Sequence, residues 1–203
     1  MTSASRRRSE ETTPLARAAV LVSGGGTTAL NLIALEERGE LPVHIAAVVA
    51  HRVDIPAVSR CTASGREVVV IEGSPSEATS DALDTLLDNR AIDLVVLAGY
   101  LRPFRVGRWT GRVLNIHPAL LPAFGGKGMY GMHVHEAVIA SGASQSGCTV
   151  HLVDDLYDHG EILVQRTIDV RLGETPASLA ARVFDEECIA YPQAIGLWVQ
   201  RQP

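Results

Sequence analysis

Asn115-Ile116-His117-Pro118 sets an amide and an imidazole two residues apart at the end of an apolar run. On a strand, that spacing puts both side chains on one face. An amide NH2 can donate to an oxygen that gains negative charge during a reaction. An imidazole changes charge near neutral pH and can carry a proton. Further on, Asp154-Asp155-Leu156-Tyr157-Asp158-His159-Gly160 offers carboxylates that could orient His117 or take a proton from a nucleophile. Asp158 stands just before the next strand-like run. Blander readings stand beside these: a satisfied histidine closing a strand, an Asn in a turn, and a solvated acidic loop.

A third feature is Ser23-Gly24-Gly25-Gly26-Thr27-Thr28. Glycines let backbone approach a ligand closely, and N–H groups of Gly25, Gly26, Thr27 and Thr28 at a helix start would suit a phosphate. The loop is neither G-x-G-x-x-G nor a P-loop, because no Lys follows, so a plain tight turn is the other reading. His133, His135, His151 and His159 lie near acidic residues. No H-E-x-x-H is present, and two histidines separated by one residue do not share a helix face. No metal is expected.

These residues need a scaffold that brings distant segments together. Ala18 to Val22, Val43 to Ala50, Val68 to Ile71, Asp93 to Ala98 and Arg112 to Ile116 read as strands. Between them, helices are expected after the glycine loop, from Asp54 as a cap through Arg60, and over Glu77 to Asn89. Strand and helix alternate with short links, which predicts a mostly parallel sheet covered by helices. Pro118 to Gly131 reads as a loop, and Met132 to Ala140 as a helix. Cys148 to Val153 and Glu161 to Val170 alternate like paired antiparallel strands. Pro176 fits the start of a last helix over Ala177 to Val199. Pro192 predicts a kink or break in it. The expected fold is an α/β three-layer sandwich with a Rossmann-like sheet extended by antiparallel strands. Residues 1–17 read as a disordered tail before a single domain over 18–203, whose halves are 18–117 and 118–203.

The chain has 203 residues, 46% of them hydrophobic and only 4% aromatic, so its core rests on Val, Leu, Ile and Ala. Lys plus Arg is 18 against 23 for Asp plus Glu, a formal net charge of -5. That balance lacks the basic face of a nucleic-acid binder. Three well-separated cysteines, Cys61, Cys148 and Cys188, form no disulfide or metal spacing. No stretch approaches the ~20 apolar residues needed to span a bilayer. A cytoplasmic protein without membrane or nucleic-acid partners is expected, as a monomer or homodimer.

The segments Val95-Val96-Leu97-Ala98-Gly99-Tyr100, Leu114 to Pro122 and Phe124 to Gly131 resemble the folate-dependent formyltransferases. The N-x-H-P-x-L-L-P motif is specific to that family. The Lys127 loop and the glycine loop narrow the resemblance to its phosphoribosylglycinamide branch, and it runs from about Ala18 to the last helix. It implies transfer of a formyl group from 10-formyltetrahydrofolate to the primary amine of 5'-phosphoribosylglycinamide. By motif, the implied catalytic set is Asn115, His117 and Asp158, with Asp158 biasing His117 toward its charged form. The implied phosphate loop is Gly25, Gly26, Thr27 and Thr28, and Glu187 holds the glycinamide end. The implied folate contacts are Leu101, Arg102 and Phe104, with the Val153, Asp154 and Asp155 loop. The chain departs from the pattern at Thr28, at His159, and by having no Arg between Gly73 and Ser80. Rival readings are another amine acceptor, such as an amino sugar nucleotide or an aminoacyl-tRNA, or a non-catalytic folate or nucleotide binder. Members of the tRNA class usually carry an added C-terminal domain, for which this chain leaves no room.

Overall fold

A computed structural model of the protein describes residues 14–202. The proposed tail therefore lies outside the described residues for 1–13. At its other end the reading needs correction: strand β1 spans Ala16–Val22 and already includes Ala16 and Arg17. Arg17 is held there because its N–H donates to Asp93 Oδ2 (2.8 Å) and its Nε donates to the Arg90 carbonyl (2.7 Å).

The other elements follow in the expected order. They are α1 (Thr27–Glu37), β2 (Val43–Ala50), α2 (Pro56–Ala63), β3 (Val68–Val70), α3 (Glu77–Asn89), β4 (Leu94–Leu97) and β5 (Val113–His117). Then come α4 (Met132–Ser141), β6 (Gln145–Leu152), β7 (Ile162–Asp169) and α5 (Pro176–Gln200). A short 3₁₀ turn, Gly107–Trp109, had no sequence signal. Asp54 does not cap α2. It pairs with Arg52, and Pro56 opens the helix instead.

The seven strands form one sheet in the order β3-β2-β1-β4-β5-β6-β7. The first five pair in parallel, while β6 and β7 are antiparallel additions. Alternation along β1 divides the core. Ala18, Val20 and Val22 pack with residues of α1, α2, α4 and α5. Ala19 and Leu21 pack with Leu83 and Leu87 of α3 and with Trp109 on the opposite face. The sheet is thus covered on both sides, which explains why its central strands read as continuous apolar runs. The strand order reverses beside β1, where β4 lies on the side away from β2. Ligands of open α/β sheets bind outside the strand ends at such a point.

Of the kink or break expected at Pro192, the break does not occur, because helix α5 runs on for 25 residues. A proline inside a helix costs about 3 kcal/mol, partly because the carbonyl four residues earlier loses its donor. Here that carbonyl belongs to Cys188, and Asn31 Nδ2 donates to it at 3.3 Å. Leu179, Val183, Tyr191, Ile195 and Trp198 are also buried along the same helix. At roughly 1.5–3 kcal/mol for each large apolar side chain, that burial outweighs the proline.

Candidate active site

The reactive-looking residues sit where β5 meets the antiparallel part of the sheet. Asn115 and His117 are two apart on β5. In the β5–β6 register Asn115 lies opposite His151, and His117 lies opposite Thr149. Directly paired residues share a sheet face, so Asn115, His117 and His151 project together. Asn115 Nδ2 lies 3.2 Å from His151 Nε2. His151 Nδ1 lies 2.8 Å from the Leu152 carbonyl, which can only accept, so Nδ1 carries the hydrogen. When the ring is neutral, His151 Nε2 is an acceptor and the Asn115 NH2 group faces it. One amide hydrogen is used in that bond, and the other remains for a ligand.

His117 is 3% exposed. Its Nε2 donates to the Phe124 carbonyl at 2.8 Å, leaving Nδ1 turned toward Asp158 Oδ2 at 3.6 Å. Asp158 Oδ2 accepts from the Gly126 N–H (2.9 Å), and Oδ1 lies 3.6 Å from His151 Nε2. Both 3.6 Å gaps exceed a direct hydrogen bond. Asp158 adopts φ +56°, an unusual angle for a residue with a side chain. Gly125 makes room for it, since an added Cβ there would lie 2.5 Å from Leu121 Cδ2 and 3.3 Å from Asp158 Cβ. Thr149 anchors the start of this loop. Its hydroxyl donates to the Ala119 carbonyl (2.7 Å) and accepts from the Leu121 N–H (3.1 Å).

The protonation states follow from these surroundings. Burial lowers the His117 pKa and outweighs the opposite pull of Asp158 and the Phe124 carbonyl. Asp158 thus acts in the expected direction, toward the charged form, but burial acts against it and more strongly, and the ring is biased toward its neutral form. For Asp158, burial acts upward, but His151, the Gly126 N–H and His117 together hold the carboxyl below its usual value. At rest the cluster is an ionised carboxylate facing an imidazole nitrogen with a free lone pair. A proton arriving on Nδ1 would lie between the two groups.

A cavity of 540 Å³ opens in front of this cluster. Asn115, His117, Asp158, Thr28 and Glu187 line it, as do Leu101, Arg102, Phe104, Val153, Asp154 and Asp155. Gly25, Gly26 and Thr27 are not among its lining residues and stand just before Thr28 at the start of α1. Gly26 is needed for the turn itself: its φ is +71°, and a Cβ there would lie 2.7 Å from Ala57 Cβ. Gly25 is under no such constraint, since an added Cβ there would meet nothing nearer than Arg60 Nη1 at 3.6 Å. No side chain caps α1, and the first-turn N–H groups of a helix have no partner within it. Arg60 of α2 reaches this loop, donating from Nη1 to the Gly25 carbonyl at 2.6 Å. It places a cation beside the loop, although 73–80 contains none.

On the other wall, Leu101 N–H donates to Ser23 Oγ (2.9 Å), tying the segment after β4 to the glycine loop. The Arg102 guanidinium is bonded to the Gly73 carbonyl. Asp154 accepts from the Leu156 N–H (2.9 Å) and lies 3.2 Å from the exposed His159 ring. The departure at His159 thus points outward and leaves the Asp158 turn intact. His133 lies beside Glu136, and His135 is buried in the cavity wall. Among the described residues, no group of three or more His, Cys, Asp or Glu is arranged to hold a metal ion.

Glu187 is part-buried, and burial alone pushes its carboxyl up to about 7. Its value rises from 4.5, so between 4.5 and about 7 the folded protein holds a proton that the unfolded chain has released. Stability from this group must fall as pH rises through that window. Glu187→Gln removes the effect, so its melting temperature should drop less between pH 5 and 7.5 than that of the parent. Parallel pH dependences of the two proteins would contradict the raised value.

Sequence reasoning did not assign His151 or Arg60 to the site. His151 had been weighed only as a metal ligand, and its place opposite Asn115 exists only in the β5–β6 register. Arg60 carried no motif.

The model of the formyl transferase family matches residues 16–195. The chloroplastic phosphoribosylglycinamide formyltransferases of Vigna unguiculata and Arabidopsis thaliana are each 40% identical to this chain, over 93% and 88% of it. The chain spans 62% and 63% of the length of those two relatives. The crystal structure of glycinamide ribonucleotide transformylase 1 from Symbiobacterium toebii superposes with a TM-score of 0.87 at 32% identity, covering 97% of this chain and 93% of that one. The phosphoribosylglycinamide formyltransferase of Bacillus halodurans gives 0.83 at 31% identity, covering 91% and 96%. With the family's pattern matched along almost all of the described residues, this chain belongs to the formyl transferase family.

Proposed function

We propose that the protein transfers a formyl group from 10-formyltetrahydrofolate to the primary amine of 5'-phosphoribosylglycinamide, a step of purine synthesis. The observation that carries this reading is the convergence of Asn115, His117 and Asp158 on one cavity that also reaches Thr28 and Glu187. The names borne by the relatives point to the same substrates.

The amine lone pair attacks the formyl carbon on N10, and the carbonyl π electrons move to oxygen. The free hydrogen of the Asn115 amide donates to that oxygen as its charge develops. The amine nitrogen must then lose a proton, and N10 must gain one before it leaves. The neutral His117 Nδ1 with Asp158 beside it can receive and return that proton, directly or through a water bound beside the two groups. Collapse of the intermediate breaks the carbon–N10 bond, giving the formamide and tetrahydrofolate. Glu187 would face the glycinamide end, and the glycine loop with Arg60 would face the phosphate. The folate ring would lie along Leu101 to Phe104 and the Val153 to Asp158 loop.

Turnover with the two substrates, against amino sugar nucleotides as alternative acceptors, tests the assignment. Transfer to the glycinamide is expected, and transfer only to another amine would overturn it. The phosphate assignment predicts that the dephosphorylated nucleoside binds about a hundredfold more weakly, as expected for losing charge-assisted bonds worth ~1.5–3 kcal/mol each. Equal affinity, measured by calorimetry, would remove the glycine loop from binding.

Among the described residues, no helix is long and apolar enough to cross a membrane. We place the protein in the cytoplasm, on the support of its three free cysteines, two of them buried. Free thiols persist in reducing compartments.

A further inference from the structure

Three residues of α5 line the cavity: Ala180, Phe184 and Glu187. Their spacing of four and three is one helical stripe. The next position in that stripe is Tyr191, which is fully buried and takes no part in the chemistry above. Its hydroxyl lies 2.9 Å from the Leu97 carbonyl and 3.0 Å from the Leu114 carbonyl. Both partners can only accept, so one O–H is shared between two strands. Burial, followed by Glu187 and set against the Leu97 bond, holds this phenol well above its ordinary pKa, so it remains a donor.

The two carbonyls are placed at the working end of the sheet. Leu114 immediately precedes Asn115. Leu97 is the register partner of Asn115 and the last residue of β4, ahead of the segment leading to Leu101. One hydroxyl therefore ties together the strand carrying the amide donor, the strand leading to the folate wall, and the helix carrying Glu187 one turn earlier. We propose that Tyr191 is a positioning residue: it sets the Asn115 amide against Glu187, and so fixes the formyl oxygen and the amine in line. The proposal rests on the formyl-transfer reading of the site. The same helix supplies a control. Trp198, seven positions later on the same side, donates from Nε1 to the Gly111 carbonyl at 2.7 Å, at a place outside the cavity lining.

The test compares Tyr191→Phe with Trp198→Phe in the full chain. Each loses one helix-to-backbone donor, and both should melt earlier. Tyr191→Phe should show kcat lowered about tenfold, the size expected for two weakened hydrogen bonds, with the KM for the folate little changed. Trp198→Phe should retain the parent kcat. A second readout does not depend on turnover. In ¹⁵N-labelled protein the Asn115 side-chain NH2 resonance, assigned by its loss in Asn115→Ala, should shift in Tyr191→Phe and stay in place in Trp198→Phe. An unmoved resonance with unchanged kcat overturns the proposal, as does an equal fall in kcat for the two variants. A shifted resonance in a protein that transfers no formyl group supports the positioning role and refutes the formyl-transfer reading instead. If Tyr191→Phe does not fold, 3-fluorotyrosine at position 191, whose fluorine makes the hydroxyl a stronger donor, should still shift the Asn115 NH2 resonance, and an unmoved resonance overturns the proposal.

Discussion

Asn115→Ala should lower kcat about 10²–10³-fold with the fold preserved, the usual cost of deleting one oxyanion donor. The backbone of β5 pairs with β4 and β6 without regard to the side chain at 115. What disappears is the NH2 group that His151 Nε2 turns in one direction. The donor is poised before substrate arrives, so its loss should appear in kcat more than in KM. Asn115→Asp is the sharper companion. It keeps the shape, offers no N–H, and sets a negative charge where the oxyanion forms. Steady-state kinetics, with circular dichroism to verify folding, decides the matter. Turnover near the parent value in Asn115→Ala would exclude the amide from the mechanism.

Asp158→Asn is expected to reduce kcat by about 10²–10⁴, the range for losing a positioned proton-transfer group. The substitution should be well tolerated structurally. Asn is among the few residues that accept a positive φ, and its carbonyl oxygen can still take the Gly126 N–H. The charge alone is lost. Because Asp158 is the main influence raising the His117 pKa against burial, its removal should lower that pKa further. Any residual activity should therefore have its acidic limb displaced to lower pH, with imidazolium forming only in stronger acid. A pH profile of kcat for both proteins measures this. An acidic limb that stays in place would mean that Asp158 does not act through His117.

Much of the scaffold was legible because its cause is local. The runs at Val43 to Ala50 and Asp93 to Ala98 are apolar on both faces, which only a sandwiched strand requires, and short links between strands and helices imply parallel pairing. Boundaries moved by one to three residues where local rules are weak, as at Ala16, at Gln145 and at His117, which the sheet includes as the last residue of β5. Pro192 shows a local rule overridden. The helix continues because Asn31, 157 positions away in sequence, donates to the carbonyl that the proline leaves without a partner.

The site divides in the same way. The types and spacing of Asn115 and His117 declared a shared face, and the motif around them declared the family. Sequence alone thus determined the layered α/β class, the order of its elements and the residues able to do chemistry. Tertiary structure alone decided how those residues behave. It set His151 opposite Asn115 and so chose which end of the amide is left free toward the cavity. It buried His117 deeply enough to override the carboxylate beside it, and among the described residues it gave Glu187 no salt-bridge partner, so burial alone acts on it. The physical reason is that register, desolvation and hydrogen-bond partnership are properties of neighbours in space, and the order of residues along a chain does not state which segments those neighbours come from.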